Sequence, residues 1–226
     1  MTKIMTAIVA IENIDNLDAY VIITPDMFKS LKEEGAATAG FKIGEKVTYY
    51  DLLYGLMLPS GAEAAQALAI ETGGNIDNFI YMMNKKAKSI GMFNTNFSTP
   101  VGLDHKDNYS TVNDIAILLK YTLKNKIFKE IFMADKYVTS NKKHTFIATR
   151  NMHNLDVSFI TGSKTGYTHD AGLCLASTAS YNGVDYLLVT ANAPYDVKSN
   201  HLFDAKTIYT YYFDNYEYRT ILEENE

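Results

Sequence analysis

Cysteine is nearly absent: Cys174 is the only one in 226 residues. No intrachain disulfide and no cysteine-based zinc site can form. Positive charge is also short. Lys and Arg number 21 against 26 Asp and Glu, a formal charge of −5, which argues against a nucleic-acid surface. No apolar run approaches the ~20 residues that a membrane-spanning helix needs. The opening MTKIMTAIVAIEN lacks the charged start, apolar middle and small-residue cleavage site of a signal peptide. The chain as it stands therefore shows neither an export signal nor an anchor. Proline is scarce, limited to Pro25, Pro59, Pro100 and Pro194, and there is no repeat or low-complexity linker. Nothing marks a boundary, so one domain over 1–226 is expected.

What is present is ordinary globular composition, 47% hydrophobic and 21% charged. A chain of this length buries roughly 70% of its unfolded surface and needs no disulfide or metal staple. The first half reads as helices. Residues 2–13 are apolar almost all round, as in a helix buried inside the protein. A buried helix at the very start of a chain is unusual, because termini normally lie at the surface. Thr48, followed three residues later by Asp51, opens a helix to Leu58. Further helices are expected over 62–71, 76–90 and, capped by Ser110, to about Lys124. The second half reads as strands over 136–140, 144–149, 162–168, 172–180 and 184–191, with Asn182-Gly183 as a type I′ hairpin turn. A helix over 199–213 closes the chain. The order predicts an α+β fold, a helical cluster packed against a mostly antiparallel sheet.

Three short segments could carry chemistry. Lys164-Thr165-Gly166 sits just ahead of an apolar strand. A bare KTG also suits the polar end of an exposed strand. At a cleft edge it would supply a cation, a hydroxyl and a close backbone approach. The flanking Gly162 and Gly166 predict light packing around the lysine. Ser60-Gly61-Ala62 lies between two helices, as a cap or as a hydroxyl aimed into a cleft. Lys3 starts the buried helix, where a cation is unfavourable for the dipole. It either snorkels to solvent or is a desolvated amine able to act as a base. The histidines His105, His144, His153, His169 and His201 form no HExxH pair, so neither zinc nor another cofactor is expected. Cys174 reads as a small core residue, Lys85, Lys86 and Lys88 as a solvated helix face, and Tyr209, Tyr211, Tyr212, Tyr216 and Tyr218 as packing for the last helix.

In this order and context, the three segments resemble the serine D-alanyl-D-alanine carboxypeptidases of the low-molecular-mass penicillin-binding family. MTKIMTA resembles the family's nucleophile segment ASMTKIMTA. LMLPSGAEAAQALA is similar to LMLPSGNDAAxALA, and 97–114 to FxNPxGLxxxxxYSTxxD. Residues 164–179 are similar to KTGYTxxAGxCLxxSA, and Arg150-Asn151 matches a pair about fourteen residues ahead of that lysine. The resemblance implies a β-lactamase/transpeptidase-like fold, a substrate ending in D-Ala-D-Ala on a peptidoglycan stem, and β-lactams as acylating inhibitors. It implies Lys3 as general base, Ser60 as proton relay, and Lys164, Thr165, Thr168 and Arg150 around the substrate carboxylate. Tyr167 would give an oxyanion N–H beside Gly166. The implied location is the outer face of the bacterial cytoplasmic membrane.

Two departures stand out. The family's serine would fall immediately before Met1, and the strands that precede this helix in the family would lie further upstream. The chain is expected to be truncated, inactive as it stands, and prone to self-association through an unpaired sheet edge. Ala62 stands where the family has the asparagine of its second motif. Two alternatives remain: a non-catalytic relative that binds peptidoglycan or a partner, and a serine β-lactamase. Against the second, no deacylating glutamate is evident between Asp104 and Ser163.

Overall fold

Helix α1 (Thr2–Asn13) runs through the middle of the helical half, with Ile4, Met5 and Ile8 fully buried, as its all-round apolar sequence requires. Helices α2 (Tyr49–Met57), α3 (Ala62–Gly73), α4 (Ile76–Ser89), α5 (Val112–Thr122) and α6 (Lys126–Met133) pack around it. The computed structural model describes residues 1–31, 35–152 and 155–217; His153 and Tyr218 lie outside them.

The caps explain where the helices start. Thr48 accepts from the Asp51 N–H at 3.1 Å while Asp51 accepts from the Thr48 N–H at 2.9 Å, the reciprocal box read from the sequence. The buried Asp51 carboxylate also takes the Tyr137 hydroxyl and both the N–H and hydroxyl of Ser140. One cap thus anchors the hairpin of β3 (Lys136–Val138) and β4 (Thr145–Ile147) to α2. Helix α5 is capped by Thr111, not Ser110: the Asp114 N–H reaches the Thr111 hydroxyl, and the Ser110 hydroxyl pairs with Thr95. Helix α6 was not expected. Asn125 caps it, and Phe128, Ile131 and Phe132 bury its short apolar stripe. The pair β1 (Tyr20–Ile22) and β2 (Lys46–Thr48), three residues each, also escaped the strand pattern.

The main sheet is antiparallel in the order β5-β6-β7, with β5 Ile160–Thr168, β6 Gly172–Tyr181 and β7 Val184–Ala193. Asn182 and Gly183 both take positive φ at the β6–β7 turn, as expected of a type I′ turn. One face carries Ile160, Leu175 and Ala179 against Leu202, Ala205 and Tyr209 of α7 (Asn200–Asn215). On the other face Ala176 joins the helical core. Register pairs Lys164 with Ala176 and Gly166 with Cys174, so these four point to the helical side.

Two minor expectations change. Tyr209 packs the last helix, but Tyr211, Tyr212 and Tyr216 are exposed, with Tyr212 stacked on Tyr216 and Tyr211 set edge-on to both. Lys86 is half-buried, ion-paired with Glu12 and set over the Tyr121 ring, rather than freely solvated.

Candidate active site

A cleft of about 980 Å³ opens where the start of α1, the turn ahead of α3 and strands β5 and β7 meet. Met1, Lys3, Ser60, Lys164, Thr165, Gly166, Tyr167 and Thr168 all line it. Residues from three distant stretches of sequence thus reach one cavity. A Cβ on Gly166 would lie 3.3 Å from the Met1 nitrogen, so the missing side chain brings β5 and the start of α1 together.

Lys3 does not snorkel. Its Nζ donates to the Val101 carbonyl at 2.9 Å. Burial holds its ammonium down to about 8, while the Glu63 charge works the other way. An amine titrating there can accept a proton near neutral pH.

Lys164 corrects an expectation. It is 1% exposed, one of the largest fully buried side chains, so its surroundings are not lightly packed. The glycines beside it suggested openness, but its side of β5 faces the helical cluster. Its Nζ donates to the Thr165 carbonyl at 2.9 Å. Burial, and then the nearby Lys3 charge, hold it down to about 7. An anion entering the cleft would restore its proton and gain a strong ion pair.

Ser60 lies on the cleft wall with φ 66°, a left-handed backbone rare for a residue with a side chain. The cap of α3 is Gly61, and no side chain hydrogen-bonds there. The serine is therefore not spent on capping.

Arg150 is not at the cleft. Its guanidinium is buried and donates to Asp135 at 2.6 Å and to the Met133 carbonyl at 3.2 Å. Asn151 donates to the same Asp135 oxygen, so the pair ties the end of α6 to the turn before β5. Its neighbour Thr149 does line the cleft, and the Thr149 and Thr165 hydroxyls are 2.8 Å apart. No sequence signal singled out Thr149. Cys174 is buried as expected, yet it lines the cleft beside Gly166. Among the described residues, no three His, Cys, Asp or Glu side chains converge as metal ligands would.

This architecture is shared with solved DD-peptidases. The Streptomyces K15 DD-transpeptidase superposes with a TM-score of 0.85 at 32% identity, covering 94% of this chain and 86% of that one. The D-alanyl-D-alanine carboxypeptidase family profile matches residues 1–195. The chain belongs to that family. It is 31% identical to the D-alanyl-D-alanine carboxypeptidase DacF of Bacillus subtilis, over all of this chain and 58% of the relative. It is 33% identical to the D-alanyl-D-alanine carboxypeptidase of Streptomyces sp. strain K15, over 80% of this chain and 67% of the relative. The chain spans about half to two thirds of the length of such curated relatives.

Proposed function

We propose that this chain is the catalytic domain of a serine D-alanyl-D-alanine carboxypeptidase, which removes the terminal D-Ala of peptidoglycan stem peptides through an acyl-enzyme. The observation that carries the reading is the meeting of Lys3, Ser60 and Lys164, from three separate elements, in one cleft.

The nucleophile is a serine placed directly ahead of Met1. There it lies three residues before Lys3 and shares its helix face. The neutral Lys3 amine takes the hydroxyl proton as the oxygen attacks the carbonyl of the penultimate D-Ala. The Tyr167 N–H and the serine's own N–H stabilise the oxyanion. Ser60 passes a proton to the leaving D-Ala amine. Lys164, with the hydroxyls of Thr165 and Thr168, holds the terminal carboxylate. Arg150 contributes indirectly by fixing the turn that carries Thr149. Water then releases the acyl group. A β-lactam acylates the same serine. The reading places the protein at the outer face of the cytoplasmic membrane, where its substrate is.

The test extends the chain at its N-terminus by the family-like segment ending in serine. Intact mass after incubation with a fluorescent penicillin should show one adduct on the extended chain and none on the chain that begins at Met1. D-Ala release from a D-Ala-D-Ala peptide should follow the same pattern. An extended chain that folds but takes up no penicillin overturns the proposal.

A further inference from the structure

Glu63 is fully buried in the first turn of α3, three residues after Ser60. Its Oε1 accepts the N–H of Gly40 at 2.8 Å and that of Phe41 at 3.3 Å. Its Oε2 is buried with no hydrogen-bond partner. The turn before it grips the same stretch of chain. The Ala62 N–H donates to the Ala37 carbonyl at 2.8 Å, and a Cβ at Gly61 would meet the Ala39 Cβ at 2.7 Å. Gly35, Ala36 and Ala37 of that stretch line the cleft, while Ala62 is covered and does not. Beside the Ser60 turn, one wall of the cleft is therefore made of residues 35–37.

A half-satisfied buried carboxylate is costly, and a neutral acceptor could hold Gly40 and Phe41 equally well. Burial pushes the Glu63 carboxyl up, and the donated N–H groups oppose that.

We propose that Glu63 is a positioning residue: it clamps residues 37–41 so that 35–37 form one wall of the cleft. The clamp is a property of the chain itself; only its effect on acylation rests on the carboxypeptidase reading.

Hydrogen exchange and acylation test it separately. Hydrogen exchange on Glu63→Ala should show the Gly40 and Phe41 amides losing protection by about tenfold or more, the loss of a charge-assisted hydrogen bond. Amides in α2 should keep theirs. Glu63→Gln keeps an acceptor and should keep that protection. In the serine-extended protein, Glu63→Ala should weaken penicillin binding ahead of acylation several-fold, because the wall of residues 35–37 is loosened, and Glu63→Gln should restore it. Unchanged exchange at Gly40 and Phe41 in Glu63→Ala overturns the clamp. Glu63→Leu removes the acceptor and keeps the bulk, and it decides in the same way if Glu63→Ala fails to fold. A serine-extended protein with no acylation at all overturns the carboxypeptidase reading, and leaves the exchange results to judge Glu63.

Discussion

The Nζ of Lys3 donates to the carbonyl oxygen of Val101 at 2.9 Å, so backbone, not a second side chain, aims the amine proposed as the base. The same loop is held again one turn along α1, where the Thr6 hydroxyl donates to the Pro100 carbonyl at 2.7 Å. Any change that lifts this loop should disturb Lys3 without touching it.

Gly102 offers such a change. It sits at φ 81°, and a Cβ there would lie 2.6 Å from the Thr2 Cβ. Gly44 has the same φ with open space around it. Gly44→Ala should cost about 1 kcal/mol, the left-handed backbone penalty alone. Gly102→Ala adds a collision with α1 and should cost about 2–4 kcal/mol. Denaturant melts of the two variants make the comparison. Equal losses would mean that the loop yields freely and does not fix Lys3.

Stability should climb with alkali. Lys3 titrates near 8 and Lys164 near 7 in the fold, against 10.5 ordinarily. Between those values the unfolded chain binds more protons, so stability rises from about pH 7 toward pH 10. Tyr54 and Tyr209 work the other way. Burial pushes each up to about 12, so above about pH 10 the unfolded tyrosines ionise first and stability falls. The thermal midpoint should therefore peak near pH 10. A midpoint flat or falling from pH 7 to 9.5 would mean that the two lysines keep their solvent in the fold.

Much of the site was legible because its chemistry sits in contiguous words. Lys164-Thr165-Gly166 and Ser60-Gly61 need no long-range information to be noticed, and the Thr48–Asp51 box announces its own helix. What was hidden depends on partners far along the chain. Arg150 left the cleft because Asp135, fifteen residues back, claims its guanidinium. Glu63 acts on Gly40 across 23 residues. The depth of Lys164 follows from which face of β5 meets the helices, and tertiary packing decides that. Helix α6 has eight residues and follows α5 almost at once, too short for its period to stand out.

Self-association is a further expectation. Among the described residues, no strand pairs with the outer edge of β7. That strand is ten residues long and has neither proline nor lysine; Asp185 is its only charge. Such an edge invites a second copy. Sedimentation velocity across a hundredfold concentration range should show growing dimer, and a monomer throughout would show the edge to be protected.

The buried amine of Lys164 allows function and stability to be separated. Methionine has nearly the same reach and volume and carries no charge. Below about pH 7 the folded protein must hold a desolvated ammonium at this position, a penalty that shrinks as pH rises toward 10.5. Lys164→Met should therefore raise the thermal midpoint at pH 6 and leave it nearly unchanged at pH 10. In the serine-extended protein it should slow penicillin acylation by about a hundredfold or more, because the cation that meets the substrate carboxylate is gone. Loss of stability at pH 6 would mean that the ammonium is favourably paired, and unchanged acylation would remove Lys164 from the site.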